Sequence, residues 1–172
     1  MARLRQYQKS IKHTLATTRF DDATWQENNR FRETIREKGV RCMYASPIAI
    51  SAKVAADSYV FVLEMNNQQN KIMGIGMVKN HAMLHKIVPY GNMNYNRYVY
   101  TGRWRIDAAD MTPEEREILR LFECMCFKGA NHLKRGQGIT AFPVKLLYLC
   151  SGTIDLPEYV RMMFKTRIDA SV

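Results

Sequence analysis

Tyr59-Val-Phe-Val-Leu-Glu-Met65, Asn66-Asn-Gln-Gln-Asn70 and Lys71-Ile-Met-Gly-Ile-Gly-Met-Val78 form the stretch that decides the fold. Two β-rich apolar runs flank a short polar loop, and that arrangement predicts a hairpin. Gly74 and Gly76 fall on one face of the second run. Their missing side chains mark a place where a helix, another strand or a ligand approaches the backbone, and a helix packed on the sheet is the expected neighbour.

Working outward, Asp21-Asp22 is suited to cap a helix with Trp25, Phe31 and Ile35 on its apolar face and Gly39 at its end. Val40, Cys42 and Tyr44 alternate as a strand does, up to Ser46-Pro47. Residues 1–20 contain Arg3, Arg5, Lys9, Lys12 and Arg19, no acid, and only scattered apolar positions such as Leu4, Ile11 and Leu15. They read as a basic arm, or as a helix that orders on docking. Downstream, Arg97 to Ile106 reads as one long strand or as a hairpin turning at Thr101-Gly102. Thr112-Pro-Glu-Glu115 has the cap, the first-turn proline and the capping-box glutamate of a strong helix start. Ile118, Leu121, Phe122 and Met125 supply the stripe, and Gly129 the end. Phe142 to Cys150 reads as a buried strand, and Asp155-Leu-Pro-Glu158 opens a short last helix with Val160, Met163 and Phe164.

The expected fold is α+β: a small, curved, mostly antiparallel sheet or partly open barrel with flanking helices. A basic helical extension over residues 1–39 precedes a single domain over 40–172. The size suffices for a core without staples, and 24% charged residues with 47% apolar ones argue against wholesale disorder. Four cysteines without a CxxC pair are too few for a disulfide scaffold, so the expectation is reduced thiols in a soluble intracellular protein of the cytoplasm or nucleus. No apolar run approaches a membrane span, and no membrane partner is expected.

Charge narrows the class of partner. All sixteen acidic residues lie outside two windows, Met65 to Ile106 and Cys124 to Ile154, which hold ten basic ones. The rest of the chain balances sixteen against sixteen, so the net +10 belongs to those windows. An acid-free basic surface attracts polyanions through steering and counterion release. Within the first window, a continuous strand over Arg97 to Ile106 places Tyr98, Tyr100, Trp104 and Ile106 on one face and Arg97, Arg103 and Arg105 on the other. Aromatic faces stack bases and arginines take phosphates, although an aromatic core face backed by solvated arginines explains the same alternation. In the second window, Lys134 and Arg135 stand beside Gly136 and Gly138 in a loop suited to gripping an anion, or in an ordinary turn.

Other chemistry finds less support. Cys124 and Cys126 point about 200° apart on a helix, so a zinc site with His132 and Cys150 is not expected. His81 and His85 lack a third ligand. Asp107 and Asp110 read as turn residues, and the windows offer no carboxylate as base or metal ligand. No metal, cofactor or catalytic residue is assigned.

Two resemblances add to this. Arg135-Gly-Gln-Gly-Ile-Thr140 resembles the pyrophosphate-binding signature of the GNAT acyltransferases, with Thr140 in place of the final small residue and Pro143 where the following helix would form. Over Arg41 to Ile106 the chain resembles the PUA-like superfamily, which includes the ASCH, EVE and YTH domains. The matching residues are Tyr44-Ala-Ser-Pro47, Asp57-Ser-Tyr-Val-Phe-Val-Leu63 and Ile72-Met-Gly-Ile-Gly-Met-Val78. That resemblance implies a small curved sheet or barrel that binds RNA or DNA, often around a flipped or modified base. Residues and resemblance together lead to a nucleic-acid-binding domain without catalysis of its own. Lys79, Lys86, Arg97, Arg103, Arg105, Lys134 and Arg135 are the expected phosphate contacts, and Tyr95, Tyr98 and Trp104 the candidates for stacking. Arg97, Arg103, Arg105, Lys134 and Arg135 are expected to act together. The alternatives are a basic assembly protein of a virion or ribonucleoprotein, with a protein partner or a homo-oligomer, and an acyltransferase at Arg135–Thr140.

Overall fold

A computed structural model describes residues 1–172. In chain order the first half comprises α1 (Ala2–Ser10), β1 (Thr14–Phe20), α2 (Asp22–Ile35), β2 (Cys42–Ser46), β3 (Tyr59–Asn66) and β4 (Lys71–Lys79). The second half comprises β5 (Tyr98–Gly102), β6 (Trp104–Asp107), α3 (Pro113–Phe127), β7 (Thr140–Ala141), α4 (Val144–Cys150) and α5 (Leu156–Ala170). A five-stranded sheet runs β6-β4-β3-β1-β7, and β2 pairs with β5 in a separate two-stranded sheet. Only β1 and β3 are parallel; the other pairings are antiparallel. The fold is α+β, with an open mixed sheet instead of a barrel.

The hairpin forms where the sequence places it, as β3 and β4. β3 is apolar at nearly every position because both of its faces are covered. Phe61, Leu63 and Met65 face a core shared with α3, α4 and α5, including Phe122, Leu147, Leu156 and Phe164. Val60 and Val62 face a second core with Trp25 of α2 and the inner side of the β2–β5 sheet. Each buried apolar side chain contributes about 1.5–3 kcal/mol by leaving water. The layers are therefore helices, sheet, and a mixed cover of α2 with β2–β5.

Gly76 makes room for that cover. A Cβ there would collide with the Tyr44 hydroxyl and sit 2.9 Å from Cys42 Sγ. A second sheet, and not the expected helix, presses on this position. Asp21 and Thr24 cap α2 reciprocally, and Thr112 and Glu115 do the same for α3, as their sequences predict. The stripe of α3 is turned by about one position: Leu119, Phe122 and Cys126 lie deepest, with Ile118, Leu121 and Met125 at its flanks.

Three segments differ from expectation. Residues 14–20 are not part of an extension: β1 sits between β3 and β7 and buries Leu15, Ala16 and Phe20. The boundary expected after residue 39 thus falls inside the fold, and only α1 precedes the first strand. Ile11 and Leu15 do not share a helix: Ile11 follows the end of α1, while Leu15 points from β1 into the core. Residues 144–150 are helical, with Leu147 buried and Leu149 71% exposed, a one-sidedness that a short apolar run does not reveal. Arg97 to Ile106 is neither a single strand nor a hairpin. β5 pairs with β2, the chain turns at Gly102-Arg103, and β6 pairs with β4.

Candidate nucleic-acid interface

The corner between β5 and β6 brings three of the expected residues together. Arg103 and Trp104 from the corner and Lys79 from the end of β4 line a groove of about 690 Å³ with Lys38, Tyr59 and His81. Lys79 and Arg103 are exposed, and Trp104 is half-buried against the helical core. The Lys79 ammonium stands 5.5 Å from the centre of the Tyr59 ring, so cation and aromatic surface are already adjacent. One carboxylate, Asp57, enters the groove and pairs with His81 at 3.1 Å. Met83 is shared with a neighbouring hollow of about 400 Å³ lined by Lys86 and Arg97. The Met83 amide donates to the Val99 carbonyl and holds this segment along β5. On the other side, Val40 is shared with a polar hollow that adds Arg32, Arg36 and Arg41, along with Glu33, Asp107 and Asp110.

Arg105, expected as a phosphate contact, is an internal ion-pair residue. Its side chain is 8% exposed and that of Glu64 0%. Its Nε and Nη2 donate to the Glu64 carboxylate at 2.9 and 2.6 Å, and its Nη1 donates to Asp107 at 2.8 Å. The Tyr44 hydroxyl donates to the same Glu64 at 2.7 Å. Burial opposes the arginine's charge, yet Glu64 more than offsets it and raises the Arg105 pKa. Burial and the Glu64 charge push the Cys42 thiol up to about 12 and the Tyr44 hydroxyl well above its ordinary value. The acid-free window hid this pairing because Glu64 lies just outside it in sequence and reaches Arg105 across β4.

A second constellation lies at the opposite end of the strands. Thr18, Arg19, Phe20, Glu27, Asn67, Tyr90 and Tyr95 are among the residues around a cavity of about 420 Å³. The loop with Lys134 and Arg135 borders it: Arg19 Nε donates to the Leu133 carbonyl at 2.6 Å and Nη1 to Thr140 Oγ1 at 3.0 Å. Asn67 Nδ2 donates to the Lys134 carbonyl at 3.0 Å. Gly136 (φ 119°) lies against the Arg19 guanidinium, and Gly138 (φ 68°) against Ser46, in backbone conformations that L side chains rarely adopt. Tyr95 is set by a short 3-10 turn, Met93–Asn96, whose Asn96 side chain bonds the Tyr90 amide and carbonyl. Glu27 accepts from the Gly91 amide at 3.2 Å.

Along the strands, the Lys79 end of β3 and the Asn67 end stand roughly 20–25 Å apart at ~3.3 Å per residue. Lys134 and Arg135 therefore do not join Arg103 in one cluster. β5 spans the gap: Gly102 sits at the Arg103 corner, while Tyr98 pairs with Ser46, the residue Gly138 touches. Lys86 and Arg97 stand beside that strand. Tyr98 is 38% exposed at its start and belongs to neither groove. Arg135-Gly-Gln-Gly-Ile-Thr140 leads into β7 and not into a helix, so its amides lack the helix N-terminus on which pyrophosphate binding relies. Cys124 is exposed and Cys126 buried, as opposed helix faces require.

No family model, curated protein or solved structure matches the chain. Arg19, Glu27, Asn67 and Tyr90 were not read from the sequence as site residues. Arg19 was grouped with an N-terminal arm, and Asn67 looked like loop filler. Lys38 escaped notice because Glu37 neighbours it in sequence, although it lines the groove with Arg103, and Arg36 and Arg41 line the adjoining polar hollow.

Proposed function

We propose that this protein is a nucleic-acid-binding module without catalysis of its own. The ligand's backbone follows β5 from Lys79 and Arg103, past Lys86 and Arg97, toward Tyr95 and the Lys134-Arg135 loop. The observation that carries this reading is the joined pair of grooves at Met83, which aligns exposed cations with the aromatic faces of Trp104 and Tyr59. Phosphates need such spaced cations, and bases need such faces. The resemblance of residues 41–106 to PUA-like domains points the same way, and the reading implies a place in the cytoplasm or nucleus; no helix is long and apolar enough to cross a membrane. Fluorescence anisotropy with single- and double-stranded RNA and DNA tests the reading. Binding that weakens steeply with salt supports it, and no binding at 50 mM salt to any of the four refutes it.

A second reading, a basic assembly component with a protein partner or a second copy, draws on the exposed apolar side chains beside the track. Leu84 is 91% exposed, Met93 51% and Ile48 60%. A stable oligomer by size-exclusion chromatography, without affinity for free nucleic acid, favours it.

A further inference from the structure

α1 carries charges that its own geometry disfavours. Arg3 stands in the first turn, where the helix dipole favours an acid and α1 has none. Arg5 and Lys9 are i, i+4 neighbours of like sign and repel each other across one turn. All three are exposed, and none pairs with a carboxylate. The helix buries no residue, and nine residues are too few to hold a helix by propensity alone. It rests on α4 through Tyr7 and Tyr148, whose ring centres are 5.5 Å apart. Lys145, exposed and unpaired, lies one turn before Tyr148 on that side of α4 and adds a fourth cation. The carboxylates that reach this region, Asp155 and Glu158, stand with Ser10, Lys12 and His13 by the C-terminal end of α1. Both are engaged, Asp155 as the cap of α5 and Glu158 with Arg161 and His13, so Lys12 is left out of the free set. A helix that breaks its local rules in this way is expected where a ligand supplies the missing charge.

We propose that α1, with Lys145, is a second nucleic-acid contact, and that the chain bridges two duplex segments, one on α1 and one on the β5 track. A row of phosphates relieves both conflicts in α1, the misplaced Arg3 and the Arg5–Lys9 repulsion. The two surfaces lie on opposite sides of the central sheet. Tyr7 and Ile11 reach the core that Phe61, Leu63 and Met65 face, whereas β2 and β5 pack on the core of Val60 and Val62. Layers pack about 8–10 Å apart, so roughly 20 Å of protein separates α1 from β5. A duplex is stiff over ~150 base pairs and meets one side of so small a body, not both. The track has more cations than α1 and is the tighter site. Nucleic acid fits α1 better than a membrane surface does, because Leu4 and Tyr7 turn inward while Arg5, Gln6, Gln8 and Lys9 face out. Met1 and Leu149 are the exposed large apolar groups of α1, its cap and α4, too few to insert into lipid. The inference rests on the β5 reading for its ligand, but its residues are separate, so the two fail separately.

The test is a two-step capture assay with the full chain at low salt. One short DNA duplex is fixed to beads, the chain is bound and the beads are washed, and a second, fluorescent duplex is offered. Retention of the chain reads the β5 track, and capture of the second duplex reads α1. The wild type is expected to capture it. Arg3→Gln/Arg5→Gln/Lys9→Gln keeps good helix formers and is expected to stay on the beads like the wild type. With three phosphate contacts gone, its capture of the second duplex is expected to fall about tenfold or more. Capture unchanged in this variant overturns the proposal and leaves the β5 reading standing, as would bridging by a stable dimer seen by light scattering. A variant no longer retained on the beads also overturns it, since α1 would then belong to the main surface. A wild type that never stays on the first duplex removes the β5 reading itself, and the bridge with it. Fluorescent vesicles of equal parts phosphatidylcholine and phosphatidylserine are offered in place of the second duplex. Capture of vesicles without capture of duplex assigns α1 to a membrane and overturns the proposal.

Discussion

Replacing Arg105 by alanine leaves the Glu64 carboxylate, 0% exposed, with one of its two partners. It loses the bonds at 2.9, 3.1 and 2.6 Å from Nε and Nη2 and keeps the Tyr44 hydroxyl at 2.7 Å. Removing one member of a buried pair costs about 3–5 kcal/mol. Tyr44 still solvates the charge, so the lower end, about 3 kcal/mol, applies. At roughly 2–4 °C per kcal/mol for a chain of this size, the thermal midpoint falls by about 6–12 °C. Arg103→Ala, two residues away but exposed, changes stability by no more than about 0.5 kcal/mol. Urea unfolding at pH 7 of both variants measures the contrast. Adding Glu64→Gln to Arg105→Ala should recover at least about 1 kcal/mol, because it removes the stranded charge while keeping an acceptor for Tyr44. A loss below about 1 kcal/mol for Arg105→Ala, or no recovery in the double variant, would refute the internal pair and return Arg105 to the surface set.

Gly76→Ala drives a methyl into Tyr44 and should cost about 1–3 kcal/mol by overpacking, part of it regained in Gly76→Ala/Tyr44→Phe; an unchanged urea midpoint contradicts the contact. Two hydrogen bonds from Arg167, each 2.7 Å, hold the Glu115 carboxyl below its ordinary value of 4.5 despite burial. A carboxyl lowered by folding stabilises above its unfolded pKa, and that contribution disappears as pH falls through the folded value. Arg167→Gln should therefore be the less stable protein at pH 7 and show a shallower loss below about pH 4.5; parallel pH profiles would exclude the pairing. Burial pushes the Cys42 and Cys126 thiols up to about 12, whereas Cys124 is exposed. At pH 8 a thiol reagent should label Cys124 first and reach Cys42 and Cys126 only on unfolding, as peptide mass mapping would show.

Local signals were legible where chain neighbours decide the outcome. The Asn66–Asn70 turn between apolar runs gave the hairpin, and the Asp21-Asp22 cap and the Thr112–Glu115 capping box gave the helix starts. What needed tertiary pairing was not legible. β1 reads as a polar, threonine-rich segment, and only its place between β3 and β7 makes it a central strand. Arg103 and Arg105 look alike in sequence, yet the corner at Gly102-Arg103 exposes one and sends the other to Glu64. The groove side chains Lys79, Arg103 and Trp104 were legible from charge and aromatic interleaving. The cavity was not, because its residues come from β1, α2, the hairpin turn, the 90–95 segment and the glycine loop, and none of those segments announces a site by itself.

The track along β5 is tested most directly by the slope of log K against log salt on duplex DNA, measured for the wild type and for Lys79→Ala/Arg103→Ala. Each lost phosphate contact reduces the slope by about 0.9 on B-form DNA, so the double variant should bind more weakly with a slope smaller by about 1.8. Equal slopes and equal affinities for the two proteins would contradict the account.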